Sequence, residues 1–285
     1  MKIEMTLEER IKASLPKSTR SDRKIARFML DNGLYVAFAS ATQVGARNGV
    51  SAATVVRFCQ SLGYKGYPEV QASVRAGLPT YLRKVEQLEK QIATLDPSQT
   101  TERVFHLDEQ NLKRTLAMLN GKRFSSAIST ICKASDILVV GRGISAAPSL
   151  YLGHSLRMMG FEARSVLNGG VPLAIELVTL KPTSLVIGIA VFRYVAETVQ
   201  AMERAMEIGA KRIAITDSIV SPLAQRANFS FQVATDGAAH ALSLTSMMAL
   251  INAFIAALSQ QRPTQTARAL KQVDAAYRRA NLLFE

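Results

Sequence analysis

The chain has 285 residues, room for one large or two modest domains, and 48% of them are hydrophobic, so a sizeable core is available. A formal net charge of +13 at pH 7 favours polyanionic partners, nucleic acid before an anionic membrane. The longest apolar stretch, Met247 to Leu258, is too short to span a bilayer, and Cys59 and Cys132 share no metal-ligand spacing, so neither a membrane span, a metal nor a disulfide is expected.

Met1 to Arg10 carries acidic residues where a signal peptide needs an apolar run, so a cytoplasmic location is the expectation. Residues 1–77 read as all-helical. One helix starts at Thr6-Leu-Glu-Glu-Arg-Ile. A second starts at Ser21, a plausible cap, with Ile25, Phe28 and Met29 on one face. Ala41 to Phe58 then reads as two short helices joined by a tight turn. Gly45 takes the closest helix crossing and Gly49 supplies the positive φ of the turn. Ser51 caps the second helix, and Val44, Val50, Val55 and Phe58 lock the pair together. That leaves Ala52, Ala53, Thr54 and Arg57 on or near the open face. Small or short polar groups there let a helix enter a major groove closely. This is the layout of a helix-turn-helix, and double-stranded DNA is the partner it calls for. Thr54 and Arg57 are candidate base or phosphate contacts, with Arg47 and Ser51 as backbone-positioning groups. Gly63-Tyr-Lys-Gly-Tyr-Pro-Glu turns the chain into a last helix of this region.

Tyr81 to Gln91 is charged and helical, and Asp96-Pro-Ser-Gln-Thr breaks it. From Asp136 the pattern alternates. Apolar strands are expected at Ile137–Val140, Ala163–Leu167, Leu185–Val191, Arg212–Thr216 and Phe229–Val233. Helices are expected between them at Ser145–Met159, Val171–Leu180, Ala196–Ile208 and Pro222–Ala227, and a long one at Ala238–Leu258 closes the set. Strands alternating with helices predict an α/β fold: a doubly wound, flavodoxin-like sheet of five parallel strands.

The first strand runs into Gly141-Arg142-Gly143-Ile-Ser145 and then a helix. Two glycines bring the backbone close to a bound group, and the N–H groups of the helix start can hold a phosphate. The third glycine of a nucleotide fingerprint is missing, and a tight turn without a ligand fits equally well. Thr216 and Ser218 end a later strand at the carboxyl edge, where open α/β sheets bind ligands; Ser221 reads as a helix cap. His106, His154 and His240 have no partner at metal or catalytic spacing. His240 begins the last expected helix, where a satisfied or surface imidazole is favoured. No Ser/His/Asp order or paired carboxylate stands out, so no enzyme activity and no cofactor is expected.

Val50-Ser51-x-x-Thr54-Val-x-Arg57-Phe58 and Leu62-Gly63-Tyr64-x-Gly66 resemble the N-terminal domain of bacterial RpiR-type transcription regulators. Gly141-x-Gly-x-Ser145, Met159-Gly160, Ala205-x-x-x-Gly209-Ala210 and Ile215-Thr216-Asp217-Ser218-x-x-Ser221-Pro222-Leu223-Ala224 resemble that family's sugar-isomerase-like (SIS) domain. The resemblance covers nearly the whole chain. It implies a helix-turn-helix domain over 1–78, a helical linker over 79–104 and an effector-binding and dimerisation domain over 105–285. It also implies a small anionic effector and at least a homodimer, for which Ala238–Leu258 offers an apolar surface. Sugar-phosphate-binding members typically carry Ser-x-Ser-Gly-x-Thr after the third strand. Here that loop is Ala190-Val-Phe192-Arg193-Tyr-Val195, which has neither serine, glycine nor threonine at those places. Arg193 can clamp a phosphate or carboxylate with two donors, or pack against an acidic residue such as Glu197. Two rivals remain: a sugar-phosphate isomerase, for which only Glu197 and His240 offer an acid/base pair, and an architectural DNA-binding protein with a ligand-dead SIS domain.

Overall fold

The computed structural model describes residues 6–14, 18–77, 97–238 and 241–283, and the expected helix over Tyr81–Gln91 lies outside them. The chain divides into two compact units, Met1–Thr94 and Leu95–Glu285.

The first unit is helical: α1 Leu7–Ser14, α2 Arg20–Asp31, α3 Gly33–Phe38, α4 Ala41–Asn48, α5 Ala52–Ser61 and α6 Tyr67–Gly77. The α2 cap is Thr19 rather than Ser21. Thr19 accepts from the Asp22 N–H while the Asp22 carboxylate accepts from the Thr19 N–H, a reciprocal pair that places the cap two residues earlier. Ile25 and Met29 are buried, with Val36, Val44, Val55, Phe58 and Val70 around them. Helix α3 has no counterpart in the sequence reading. Its last carbonyls are satisfied from α6: the Tyr67 hydroxyl donates to Val36 and Ala39 at 3.0 and 2.9 Å, and Arg75 donates to Ala37 at 2.9 Å. Cys59 is fully buried here, and burial pushes its thiol up to about 12.

The second unit begins with a short 3-10 turn, Pro97–Gln99, then α7 Thr100–Met118 and α8 Gly121–Lys133. There follow β1 Ile137–Gly141, α9 Ala146–Met158, β2 Ala163–Val166, α10 Val171–Val178, β3 Leu185–Ala190 and α11 Ala196–Glu207. It closes with β4 Lys211–Thr216, α12 Pro222–Arg226, β5 Phe229–Gln232, α13 Thr245–Gln261 and α14 Pro263–Arg279. The strands are parallel, in the order β2-β1-β3-β4-β5. Alternate side chains feed two cores. Ile137, Val139, Ile187, Ile189, Ile213 and Ile215 pack with α8, α9 and α13. Leu138, Val140, Val186 and Ala214 pack with α10, α11 and α12. β1 and β3 are buried on both faces and are continuous apolar runs, which is why they stand out in the sequence.

The C-terminal end differs from expectation in two ways. The helix expected from Ala238 starts at Thr245. The Ser243 N–H donates to the Thr235 carbonyl at 3.1 Å, and the Ser243 and Thr245 hydroxyls donate to Asp108 of α7, which holds the chain outside a helix up to Thr245; nearer β5, Thr115 accepts from the Ala234 N–H at 2.9 Å and Asn111 donates to the Asp236 carbonyl at 2.7 Å. His240 lies outside the described residues. The apolar face of α13 is also not an outer surface. Met247, Leu250, Ile251, Phe254 and Leu258 are buried against the sheet, so its apolar side is taken up by the core of this chain. Second, α14 follows, opened by Pro263 at its first position and docked by Gln265, which donates to the Gly160 carbonyl at 3.0 Å.

Candidate DNA interface and sheet-edge site

In the first unit, α4 opens on a reciprocal cap between Ser40 and Gln43 and ends at Gly49, whose φ of +66° is the left-handed turn. A Cβ on Gly45 would lie 2.6 Å from the Val50 carbonyl oxygen, so the two helices meet there backbone to backbone. Ser51 caps α5 by accepting from the Thr54 N–H at 3.2 Å. On the outer surface of α5 a polar chain runs along one side. The Ser51 and Thr54 hydroxyls are 2.9 Å apart, and the Arg57 guanidinium donates to the Thr54 hydroxyl at 3.4 Å. Arg57 and Ala53 are exposed, and Ala52 and Thr54 are half-buried. Arg47, at the end of α4, lies over the Tyr35 ring at 4.3 Å, which fixes its direction. The six residues expected at the interface thus belong to the turn and the two helices around it, with Ser51, Thr54 and Arg57 on one line.

In the second unit, β1 and β3 are neighbours whose following helices cover opposite faces, so the loops beyond their carboxyl ends diverge. Register pairs Gly141 with Ile189 and Ala190 with Thr216, which brings the expected residues Gly141, Arg142, Gly143, Ser145, Arg193, Thr216 and Ser218 to one edge. Their local roles differ. A Cβ on Gly141 would overlap the Ser149 hydroxyl, so this glycine serves the tight turn itself. Gly143, at φ +59°, is exposed, and Ser145 is buried. Thr216 is fully buried and donates to Ser221 at 3.0 Å; the Ser218 hydroxyl accepts from the Val220 N–H. Ser221 caps α12, as the sequence suggested. Arg193 is exposed on the loop after β3.

Two carboxylates tie these loops together. Asp217 accepts from the Phe192 N–H at 3.0 Å and from the Tyr194 hydroxyl at 2.8 Å. Burial, and then the adjacent Asp217 charge, push the Tyr194 phenol upward, so it stays neutral and donating. Glu197, in the first turn of α11, pairs with Arg142 at 3.1 Å and accepts from the Gly170 N–H at 2.8 Å. Arg142 also donates to the Leu167 carbonyl. The sequence offered Glu197 as one possible partner of Arg193 and did not announce its ion pair with Arg142. The signal was the doublet Gly169-Gly170 after β2, where a Cβ on Gly169 would overlap both Glu197 carboxylate oxygens. Among the described residues no group of His, Cys, Asp and Glu could hold a metal ion, and no helix is long and apolar enough to cross a membrane.

The helix-turn-helix domain of the rpiR family matches residues 5–79, and the SIS domain matches residues 130–257. The sugar isomerase domain of an RpiR transcription factor from Sphaerobacter thermophilus is 37% identical, with a TM-score of 0.61 over 62% of this chain and 99% of that one. The chain belongs to the RpiR family. It is a transcriptional regulator with a helix-turn-helix domain and a SIS domain. An HTH-type transcriptional regulator of Haemophilus influenzae is 27% identical over 213 residues, 74% of each chain. The Escherichia coli HTH-type regulator YfhH is 25% identical over 258 residues, 88% of this chain and 91% of its own. The fold is shared with the Vibrio vulnificus NanR protein, 19% identical, at a TM-score of 0.67 over 98% of this chain and 100% of that one. In that structure NanR is complexed with ManNAc-6P.

Proposed function

We propose that this RpiR-family regulator reads an operator through α5 and senses a small anionic metabolite, a sugar phosphate or a carboxylate, at the edge where β1 and β3 diverge. The observation that carries the sensor reading is the concentration of guanidinium groups and glycine-rich backbone at that edge. Arg142 lies within the Gly141–Ser145 turn, Arg193 is exposed one loop away, and Gly169 and Gly170 form the third loop. NanR, complexed with ManNAc-6P, makes a phosphorylated sugar the first class to test. The loop after β3 lacks the hydroxyls typical of such sites, so Arg193 carries a larger share of anion recognition. Regulation without catalysis is the reading supported by relatives named as transcriptional regulators. It is further supported by Glu197, the candidate acid/base group, being committed to an ion pair. Homodimer formation is proposed from the family resemblance, through a surface other than α13.

The test has a DNA arm and a ligand arm. Selection from genomic fragments at moderate salt returns an enriched operator, and Arg57→Ala weakens binding to it by about 1–3 kcal/mol if Arg57 reads a base. ManNAc-6P and a panel of carboxylates are then screened by thermal shift. Arg193→Ala abolishes the shift and leaves operator binding by the apo protein within about twofold. Arg193→Lys rescues poorly, because an ammonium lacks the planar two-donor grip. No enriched sequence refutes the operator reading, and a ligand shift unchanged in Arg193→Ala refutes the role of Arg193.

A further inference from the structure

We propose that Glu197 is a built-in competitor for the effector: its carboxylate sits on anion-binding groups at the sheet edge, and the effector's oxyanion takes its place on Arg142. This rests on the sensor reading above and adds the residue that sets its threshold.

Three observations meet at this carboxylate. The Arg142 Nε lies 3.1 Å from Glu197 Oε2, and the pair is only partly exposed, 20% and 32%. The Gly170 N–H donates to Glu197 Oε1 at 2.8 Å. The carboxylate also lies in the first turn of α11, at the helix end that favours negative charge. A guanidinium, a loop N–H and a helix start are what a phosphate or carboxylate ligand needs. The neighbouring loop is shaped to the same group, since any side chain at Gly169 would overlap both Glu197 oxygens. Gly170, at φ +63°, turns its N–H towards it. The arrangement lies at the divergence of β1 and β3, where open sheets take ligands.

A tethered carboxylate competes at high effective concentration. Arg142 is therefore closed to weakly bound anions, and an effector gains it only by returning more than the internal pair supplies. The competitor also links three loops: Arg142 follows β1, Gly170 precedes α10, and Glu197 opens α11. Its displacement releases all three together.

Glu197→Gln isolates the charge. The amide oxygen still accepts from the Gly170 N–H, while Arg142 loses its counter-charge. Isothermal titration of the full chain uses inorganic phosphate as probe at low ionic strength. Glu197→Gln is expected to bind phosphate at least tenfold more tightly than the wild type, and Arg142→Gln in that background is expected to remove the gain. Glu197→Asp keeps an acid at the helix start but withdraws it from Arg142, so an intermediate gain is expected from a variant that preserves the fold. A plain structural ion pair gives a different pattern: lower stability with no gain in affinity. Unchanged affinity in Glu197→Gln, or a gain that survives loss of Arg142, overturns the competitor. If the wild type still binds anions through Arg193 in that case, the sensor reading stands alone. If no variant binds phosphate and no effector shift is found, both fall.

Discussion

Gly45 and Gly33 separate two uses of the same residue. At Gly45 a methyl group would lie 2.6 Å from the Val50 carbonyl oxygen and 3.2 Å from the Ser51 carbonyl carbon. Backbone atoms cannot give way as a side chain can, so the two helices of the motif must part. Gly33, at the start of α3, has nothing within 4 Å of the same position. Gly45→Ala is expected to cost about 1–3 kcal/mol in urea denaturation, by overpacking. It should also weaken operator binding, because Ser51, Thr54 and Arg57 move with α5. Gly33→Ala is expected to be neutral or to stabilise by up to about 1 kcal/mol, by limiting the unfolded chain. Equal effects from the two substitutions would contradict the close approach. The demand for glycine at position 45 was legible in the spacing of the motif.

Between elements, the amino edge of the sheet is held by a network the sequence reading did not foresee. Asp136, just before β1, accepts from Ser135 at 2.9 Å, from Ser184 before β3 at 2.7 Å and from Arg164 of β2 at 3.1 Å. Arg164 also pairs with Glu176 of α10. Burial raises the Asp136 pKa, but the hydrogen bonds from Ser184, Ser135 and Arg164 outweigh it and hold the carboxyl below its ordinary value. An acid with a lowered folded value contributes stability that is present above its unfolded value, about pH 4, and lost as pH falls through the folded one. Asp136→Asn is therefore expected to destabilise the sheet-bearing unit by about 1–3 kcal/mol at neutral pH. The gap from the wild type should narrow below about pH 4. Denaturant midpoints measured from pH 7 to pH 3 check this, and a constant gap would exclude the charge as its source. Ser184 and Arg164 lie 48 and 28 residues from Asp136, so no local pattern could have announced them.

For the molecule as a whole, the two units predict two folding bodies. We expect limited proteolysis to cut first between Gly77 and Thr100, releasing a fragment that starts near Pro97 and keeps its cooperative melt. A fragment starting at Leu119, without α7, is expected to melt far lower. It loses Asn111 and Thr115, both buried and bonded to the segment after β5. Equal melting of the two fragments would show α7 to be dispensable. Sedimentation of the longer fragment at micromolar concentration tests the dimer. Val171 and Val178, 72% and 79% exposed on α10, are candidate apolar contacts for it.

The sequence alone determined the strands, the helix-turn-helix and the family. Strands buried on both faces must be short apolar runs between turn residues, and a tight two-helix turn must place glycine and a capping serine at fixed positions. These demands are local, and Gly45, Gly49, Ser51 and the run Ile137–Gly141 state them directly. Only the tertiary structure decided what long-range partners impose. Helix α3 is completed by Tyr67 and Arg75, which lie 28 to 38 residues downstream of the carbonyls they cap. The start of α13 was set by Asp108 on α7, which accepts from the Ser243 and Thr245 hydroxyls. The role of Arg142 was set by Glu197, which reaches it only because β1 and α11 meet at the same edge of the sheet. In each case a polar group had to find a partner in the folded chain, and proximity in space, which the linear pattern does not encode, chose it.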